Sequence, residues 1–308
     1  MSERTAADRP NILIILADDM GFSDIGCYGS EIRTPNLDAL GSRGLRFSQM
    51  YNCPSRAALL TGLYPQQSGV GHMIRDLGLP QYQGFLNDRC VTVAEVLGEH
   101  GYTTLMAGKW HVGGRYDLLD PGSWRPGDGR HPLPTQRGFD HFYGLVAGAG
   151  SYFQPKPILN DEQVISVADE DGYYLTDAIS ERAAGMLERH VGSRPERPFF
   201  LHVSYTAPHW PLHAGEEDVA RYATRYRGGW DALRAARHEE LTAMGIVRRP
   251  LAAVAARRGR AAVGGVAPPR LERAAHGGVR GADRQYGPRH RTHHGQAAAT
   301  GGRSATPW

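Results

Sequence analysis

The sequence predicts an α/β fold built around a mostly parallel sheet flanked by helices. Three observations point there. Continuous apolar runs at residues 11–17 and 199–204 have the composition of strands buried on both faces. A long amphipathic segment lies just before the second run. Between them, short runs of strand character alternate with helix-like segments that stop at glycine.

Taken in order, residues 11–17 (NILIILA) read as a central parallel strand. Thr34 then caps a helix that Pro35 opens. It runs to about Arg43 and ends on Gly44 as a left-handed cap. Residues 45–48 read as a short strand. Residues 91–100 have helical spacing and stop at Gly101, and residues 103–107 follow as a strand. The Gly- and Pro-rich stretch 113–161 reads as loop, the kind of segment that forms sites. Residues 176–190 make an amphipathic helix with Leu175, Ile179, Ala183, Met186 and Leu187 as its apolar stripe. Residues 199–204 (FFLHVS) close the pattern as a second buried strand.

A chain of 308 residues is long enough for a sizeable core, and 41% hydrophobic with 22% charged residues fits a globular protein. A net charge of +3 gives no reason to invoke nucleic acid or an anionic membrane. Cys27, Cys53 and Cys90 are too few and too widely spaced for a disulfide framework or a zinc site. They read as reduced thiols. Residues 1–10 are polar and expected to be disordered, and the apolar run 12–17 is too short for a signal core or a membrane span. The expectation is a cytoplasmic protein. The domain is expected to span 11–246. Residues 247–308 are rich in Arg, Ala, Gly, Pro and His and read as a low-complexity, disordered basic tail. Aromatic residues there are too sparse to supply base stacking.

Chemistry concentrates in three places. Asp18 and Asp19 stand where the first strand ends, the end at which parallel sheets bind ligands. Two adjacent carboxylates suit a hard divalent cation; a solvated turn with capping acids is the alternative. Cys53 and Arg56 flank a predicted helix start, which favours a thiolate and an anion held by guanidinium. Lys109 and His111 follow the predicted strand 103–107, and His209 lies in a proline-bracketed loop after strand 199–204. His72 and His141 read as structural.

Six segments together resemble the type I sulfatases: 11–21 (NILIILADDMG), 34–40 (TPNLDAL), 54–62 (PSRAALLTG), 101–111 (GYTTLMAGKWH), 137–144 (RGFDHFYG) and 205–209 (YTAPH). The resemblance covers about residues 10–245. It implies an alkaline-phosphatase-like fold and hydrolysis of a sulfate ester of arylsulfatase type, on a small-molecule or sugar substrate. It further implies a calcium ion, with magnesium as the alternative, and a formylglycine nucleophile made from a pentad cysteine by the formylglycine-generating enzyme. By the same resemblance Asp18 and Asp19 are metal ligands, Arg56 anchors the nucleophile, Lys109 and His111 contact the sulfate, and His209 binds or protonates the ester.

Two departures stand out. In C-x-P-S-R the cysteine lies two before Pro54, where this chain has Asn52; Cys53 is the only nearby substitute. The family's downstream Asp-Asn-Gly motif and second sulfate-binding lysine have no counterpart, since no lysine follows Lys156. The expectation is a domain truncated on its C-terminal side and followed by out-of-frame sequence. Residues 275–295, shifted by one nucleotide, can encode MEVYAAQIDSMDRGIGRIM, a helix of the family's kind. An inactive fragment and a phosphatase or phosphodiesterase of the same superfamily are the competing readings.

Overall fold

Strands and helices alternate as expected, and six of the strands share one sheet. The structure is a computed structural model that describes residues 9–51, 55–117, 119–167 and 172–247. Cys53, Asn52 and the tail 248–308 therefore lie outside the described residues, as does most of the 1–10 segment. The strands are β1 (Ile12–Leu16), β2 (Gly71–Ile74), β3 (Thr103–Gly108), β4 (His141–Leu145), β5 (Ile158–Asn160), β6 (Gln163–Ile165) and β7 (Phe199–Ser204). The helices are α1 (Pro35–Arg43), α2 (Ser55–Thr61), α3 (Pro65–Ser68), α4 (Val93–Glu99), α5 (Leu175–Ser193), α6 (Glu216–Tyr222) and α7 (Gly229–Ala243).

The chain divides into two compact units. The first holds the sheet, in the order β1-β7-β3-β4-β5-β6, with α2 to α5. β1, β7, β3 and β4 run parallel; β5 and β6 extend the sheet antiparallel. Every residue of β3 and β7 is buried, because both strands are paired on both sides and covered on both faces. One face packs α5, whose Leu175, Ile179, Ala183, Met186 and Leu187 form the expected stripe. The other carries Met106, Phe142 and Phe200 against Ala57, Leu60 and Ala94. Each large apolar side chain buried this way contributes about 1.5–3 kcal/mol.

Several expectations need correction. β1 is the edge strand of the described sheet, and all five of its residues are only half-buried. Its apolar run reported two apolar faces correctly; it carried no information on how many neighbours the strand has. Residues 45–48 form no strand. Their backbone is engaged by side chains instead, as Tyr28 Oη donates to the Phe47 carbonyl at 3.0 Å, and Leu45 and Phe47 stay exposed. Gly44 closes α1 by donating to the Leu40 carbonyl at 2.8 Å, but in an extended rather than left-handed conformation (φ −114°). Thr34 does occupy the N-cap position, yet its hydroxyl bonds Asp38 at 2.9 Å rather than the helix backbone. The supposed loop 113–161 contains β4 and β5.

The segment 137–144 explains that last miss. Arg137 is buried and donates to Glu95 at 2.9 Å and to the Cys90 carbonyl at 2.7 Å. It thereby ties the connection before β4 to α4, whose start is a capping box of Thr92 and Glu95. Asp140 accepts from the Thr104 amide at 3.0 Å and sets β4 beside β3. Gly144, one of the glycines that made 113–161 read as loop, sits where the backbones of β3 and β4 approach too closely for any side chain.

The second unit holds α1, α6, α7 and the segment 18–49. Arg237 of α7 ties that helix to the segment, pairing with Asp24 at 2.6 Å and Glu31 at 2.8 Å. Tyr226 adds a 2.7 Å bond to Glu31. No helix among the described residues is long and apolar enough to cross a membrane.

Candidate active site

In the first unit, β3 ends at Gly108 and delivers Lys109, Trp110 and His111 in succession. The Lys109 amide donates to the Ser204 carbonyl at the end of β7 (2.7 Å), so the turn is fixed by the sheet itself. Trp110 is fully buried: its indole donates to the Pro132 carbonyl at 2.9 Å, and its ring meets Phe139 edge-on. This apolar anchor between two cationic-type side chains holds both in place. Lys109 is only 1% exposed. Its carbonyl accepts a long bond, 3.4 Å, from Nε of Arg56, the second residue of α2, and Arg56 Nη2 reaches the Tyr205 carbonyl at 3.5 Å. Arg56, Lys109 and His111 thus gather at the carboxyl ends of β3 and β7, the end at which such sheets bind ligands.

His111 is held in a strained state. Its φ of 54° lies in the left-handed region, which costs a non-glycine residue about 1–3 kcal/mol. Its amide donates to the Val146 carbonyl at 3.2 Å, and its ring lies against the bare Cα of Gly148. Strain of this kind persists only where surrounding structure overrides it, which happens most often at working sites.

In the second unit, Asp18 and Asp19 follow β1 by two and three residues. The Asp18 amide donates to the Ala207 carbonyl at 3.0 Å, and the Asp18 side chain is buried. Asp19 has φ 61°, a conformation Asp tolerates better than most residues, and its carboxylate is exposed. His209 Nδ1 donates to the Trp210 carbonyl at 2.6 Å, which turns Nε2 toward Asp19 Oδ2 at 3.6 Å. Asp18, Asp19 and His209 therefore lie together in this unit. Cys53 lies outside the described residues.

The two carboxylates are hard oxygen donors and fit a calcium or magnesium ion in kind. Among the described residues no group of three or more His, Cys, Asp or Glu side chains forms a metal site, so the pair would supply only part of a coordination shell.

Sequence reasoning missed His202. It lies on the central strand β7 and is 1% exposed. Burial, and then the nearby Arg56 charge, push its imidazole down to about 3. A value below the ordinary 6.5 means the unfolded chain takes up a proton that the folded chain refuses, so stability falls as pH drops below 6.5. Between pH 6.5 and 5 the expected loss is about 2 kcal/mol, on the order of 4–8 °C in Tm. Melting curves over that range check it, and His202→Leu should remove this share of the slope. A polar residue two after Phe200 on a buried strand was the available signal. Its neighbour Arg56, far off in sequence, was not readable.

Comparison with known proteins bears on the family and the fold. The chain is 37% identical to an arylsulfatase of Klebsiella aerogenes over 253 residues, 78% of this chain and 52% of that protein. It spans about half of that relative's length. Among solved structures it resembles one determined in complex with its substrate D-glucosamine-2-N,6-O-disulfate (TM-score 0.52, 27% identity, 70% of this chain and 37% of that one). The putative sulfatase yidJ from Bacteroides fragilis matches over 96% of this chain and 60% of its own, with TM-score 0.64 and 22% identity, a likeness that speaks to the fold alone. The α/β sheet is thus of the alkaline-phosphatase-like kind found in sulfatase structures. The Sulfatase family model matches residues 10–287, most of the sequence, and on that breadth the chain belongs to the sulfatase family.

Proposed function

We propose that this chain carries the site of a sulfuric ester hydrolase acting on an aryl or sugar sulfate. The observation that carries the reading is the placement of Lys109 and His111 at the end of β3, with Arg56 bonded to the Lys109 carbonyl. A sulfate monoester is a compact anion, and preorganised cations in a water-poor site stabilise charge far better than mobile ones. Lys109 and His111 would hold the sulfate oxygens. Arg56, braced on two backbone carbonyls, keeps its charge beside them. His209 would donate a proton to the leaving ester oxygen. Asp18 and Asp19 would hold calcium, or magnesium, whose chemistry there is polarisation of the sulfate. The nucleophile is assigned to a formylglycine, with the formylglycine-generating enzyme as partner. With Cys27 and Cys90 both free thiols, the cytoplasm is the proposed compartment.

A second reading, an inactive chain, is favoured by Asn52 at the position of the pentad cysteine. Asparagine has no route to an aldehyde. Asn52→Cys restores C-x-P-S-R, and co-production with the generating enzyme separates the readings. The expected result is no chromophore release from an aryl sulfate by the unaltered chain. Release should appear in Asn52→Cys, with a formyl group on that peptide by mass spectrometry. Lys109→Ala in that background should cut turnover on the order of 10²–10³-fold. A formylated Asn52→Cys chain without turnover would sink the hydrolase reading. We propose also that the tail is out of frame. The gene's nucleotides decide this: a shifted frame that stops early, or lacks an Asp-Asn-Gly segment, refutes it.

A further inference from the structure

His202, Ser204 and Thr206 alternate along β7 and its continuation, so they follow one another on one face of the sheet. Tyr205 extends the ladder past the strand by donating to the Leu16 carbonyl at 2.9 Å, which keeps Thr206 in step. The three are 1%, 0% and 2% exposed. His202 Nδ1, Ser204 Oγ and Thr206 Oγ1 all lack a hydrogen-bond partner among the described residues. A buried hydroxyl or imidazole nitrogen left so costs stability, and three in succession are far from the norm for a native core. On the same face, the residues beside His202 are Ile14 and Met106, which offer no donor. Beside Ser204 are Leu16 and Gly108. Leu16 is apolar and Gly108 has no side chain, so neither neighbour's side chain offers Ser204 Oγ a partner.

We propose that ordered water is bound along this face of β7, bridging His202 Nδ1, Ser204 Oγ and Thr206 Oγ1. The spacing suits it. Same-face residues on a strand lie roughly 6.6 Å apart, and a water with two bonds spans about 5.5 Å between flexible side-chain ends. The donor pattern also suits it. The imidazole is neutral at ordinary pH, so its free nitrogen accepts while water donates, and each hydroxyl both donates and accepts. The site lies beneath the Lys109 turn, whose amide bonds the Ser204 carbonyl, and it connects a buried imidazole to the end of the sheet that carries Arg56 and Lys109. The inference is independent of any hydrolase activity.

Near-isosteric removal of the hydroxyls tests it. If water links the groups, Thr206→Val and Ser204→Ala should each lower Tm, on the order of 3–6 °C. The double variant should lose less than the sum, because both remove the same water. Thr206→Ser, which keeps the hydroxyl, should recover most of the loss. A Tm that rises or stays level in Thr206→Val, or losses that add without coupling, would overturn the proposal, since deleting a truly unpaired hydroxyl relieves a penalty. A crystal structure gives a second readout that does not depend on the variants. Electron density between Ser204 Oγ and its two neighbours is expected, and continuous dry packing there would refute the site.

Discussion

Gly144→Ala is expected to destabilise the sheet-bearing unit strongly. A Cβ at this position would overlap the carbonyl oxygen, carbon and amide of Gly108, all backbone atoms of the adjacent strand. A side chain in the way turns aside at little cost; a strand does not. Relief would require β4 to move away from β3 at the register pairs Met106↔Phe142 and Ala107↔Tyr143. Those pairs carry some of the most deeply buried residues of the core, Phe142 and Tyr143 among them. The cost should therefore reach or exceed the upper end of the ~1–3 kcal/mol typical of overpacking. In a unit of this size that lowers Tm by about 6–12 °C or more. Thermal melting followed by circular dichroism measures it. A Tm within about 2 °C of the parent would mean that the two strands are not held this close. Gly108→Ala, whose Cβ would strike the Ser204 carbonyl of β7, should behave alike.

What could be read from the sequence divides along the same physical line. β3, β7 and α5 were legible because burial on both faces, or on one helical stripe, writes itself into composition and period. β5 and β6 were not, being three residues each and too short for either period to show. β4 was hidden by Gly144, because a glycine that serves a neighbour's backbone looks like one that ends an element. The site divides similarly. Arg56, Lys109, His111, Asp18, Asp19 and His209 were proposed from motifs, whose residues are close in sequence. His202 and Gly148 act on residues that folding brings to them, 146 and 37 positions away respectively. A single sequence does not display such pairs.

Gly148→Ala should have the opposite profile: a fold left nearly intact and a site disabled. The Cβ added here would collide with Nε2, Cδ2 and Cε1 of the His111 ring and with nothing in the backbone within that range. Gly148 is not among the residues at positive φ, so alanine fits its backbone. The three nearest obstructing atoms thus all belong to one imidazole, which can move. It must do so by about 1 Å, and a displacement of that size at a reacting centre costs on the order of 10²-fold in rate. His111 has little freedom to compensate, since its backbone is fixed in a left-handed turn and its neighbour Trp110 is locked in the core. The expected result is a Tm lowered by no more than about 3 °C, together with changed ¹⁵N and ¹H shifts of the His111 ring. In the formylated Asn52→Cys background, aryl sulfate turnover should fall about 100-fold. Unchanged ring shifts would refute the cradle whatever the activity. A displaced ring with full turnover would remove His111 from the proposed sulfate site and leave that role to Lys109 and Arg56.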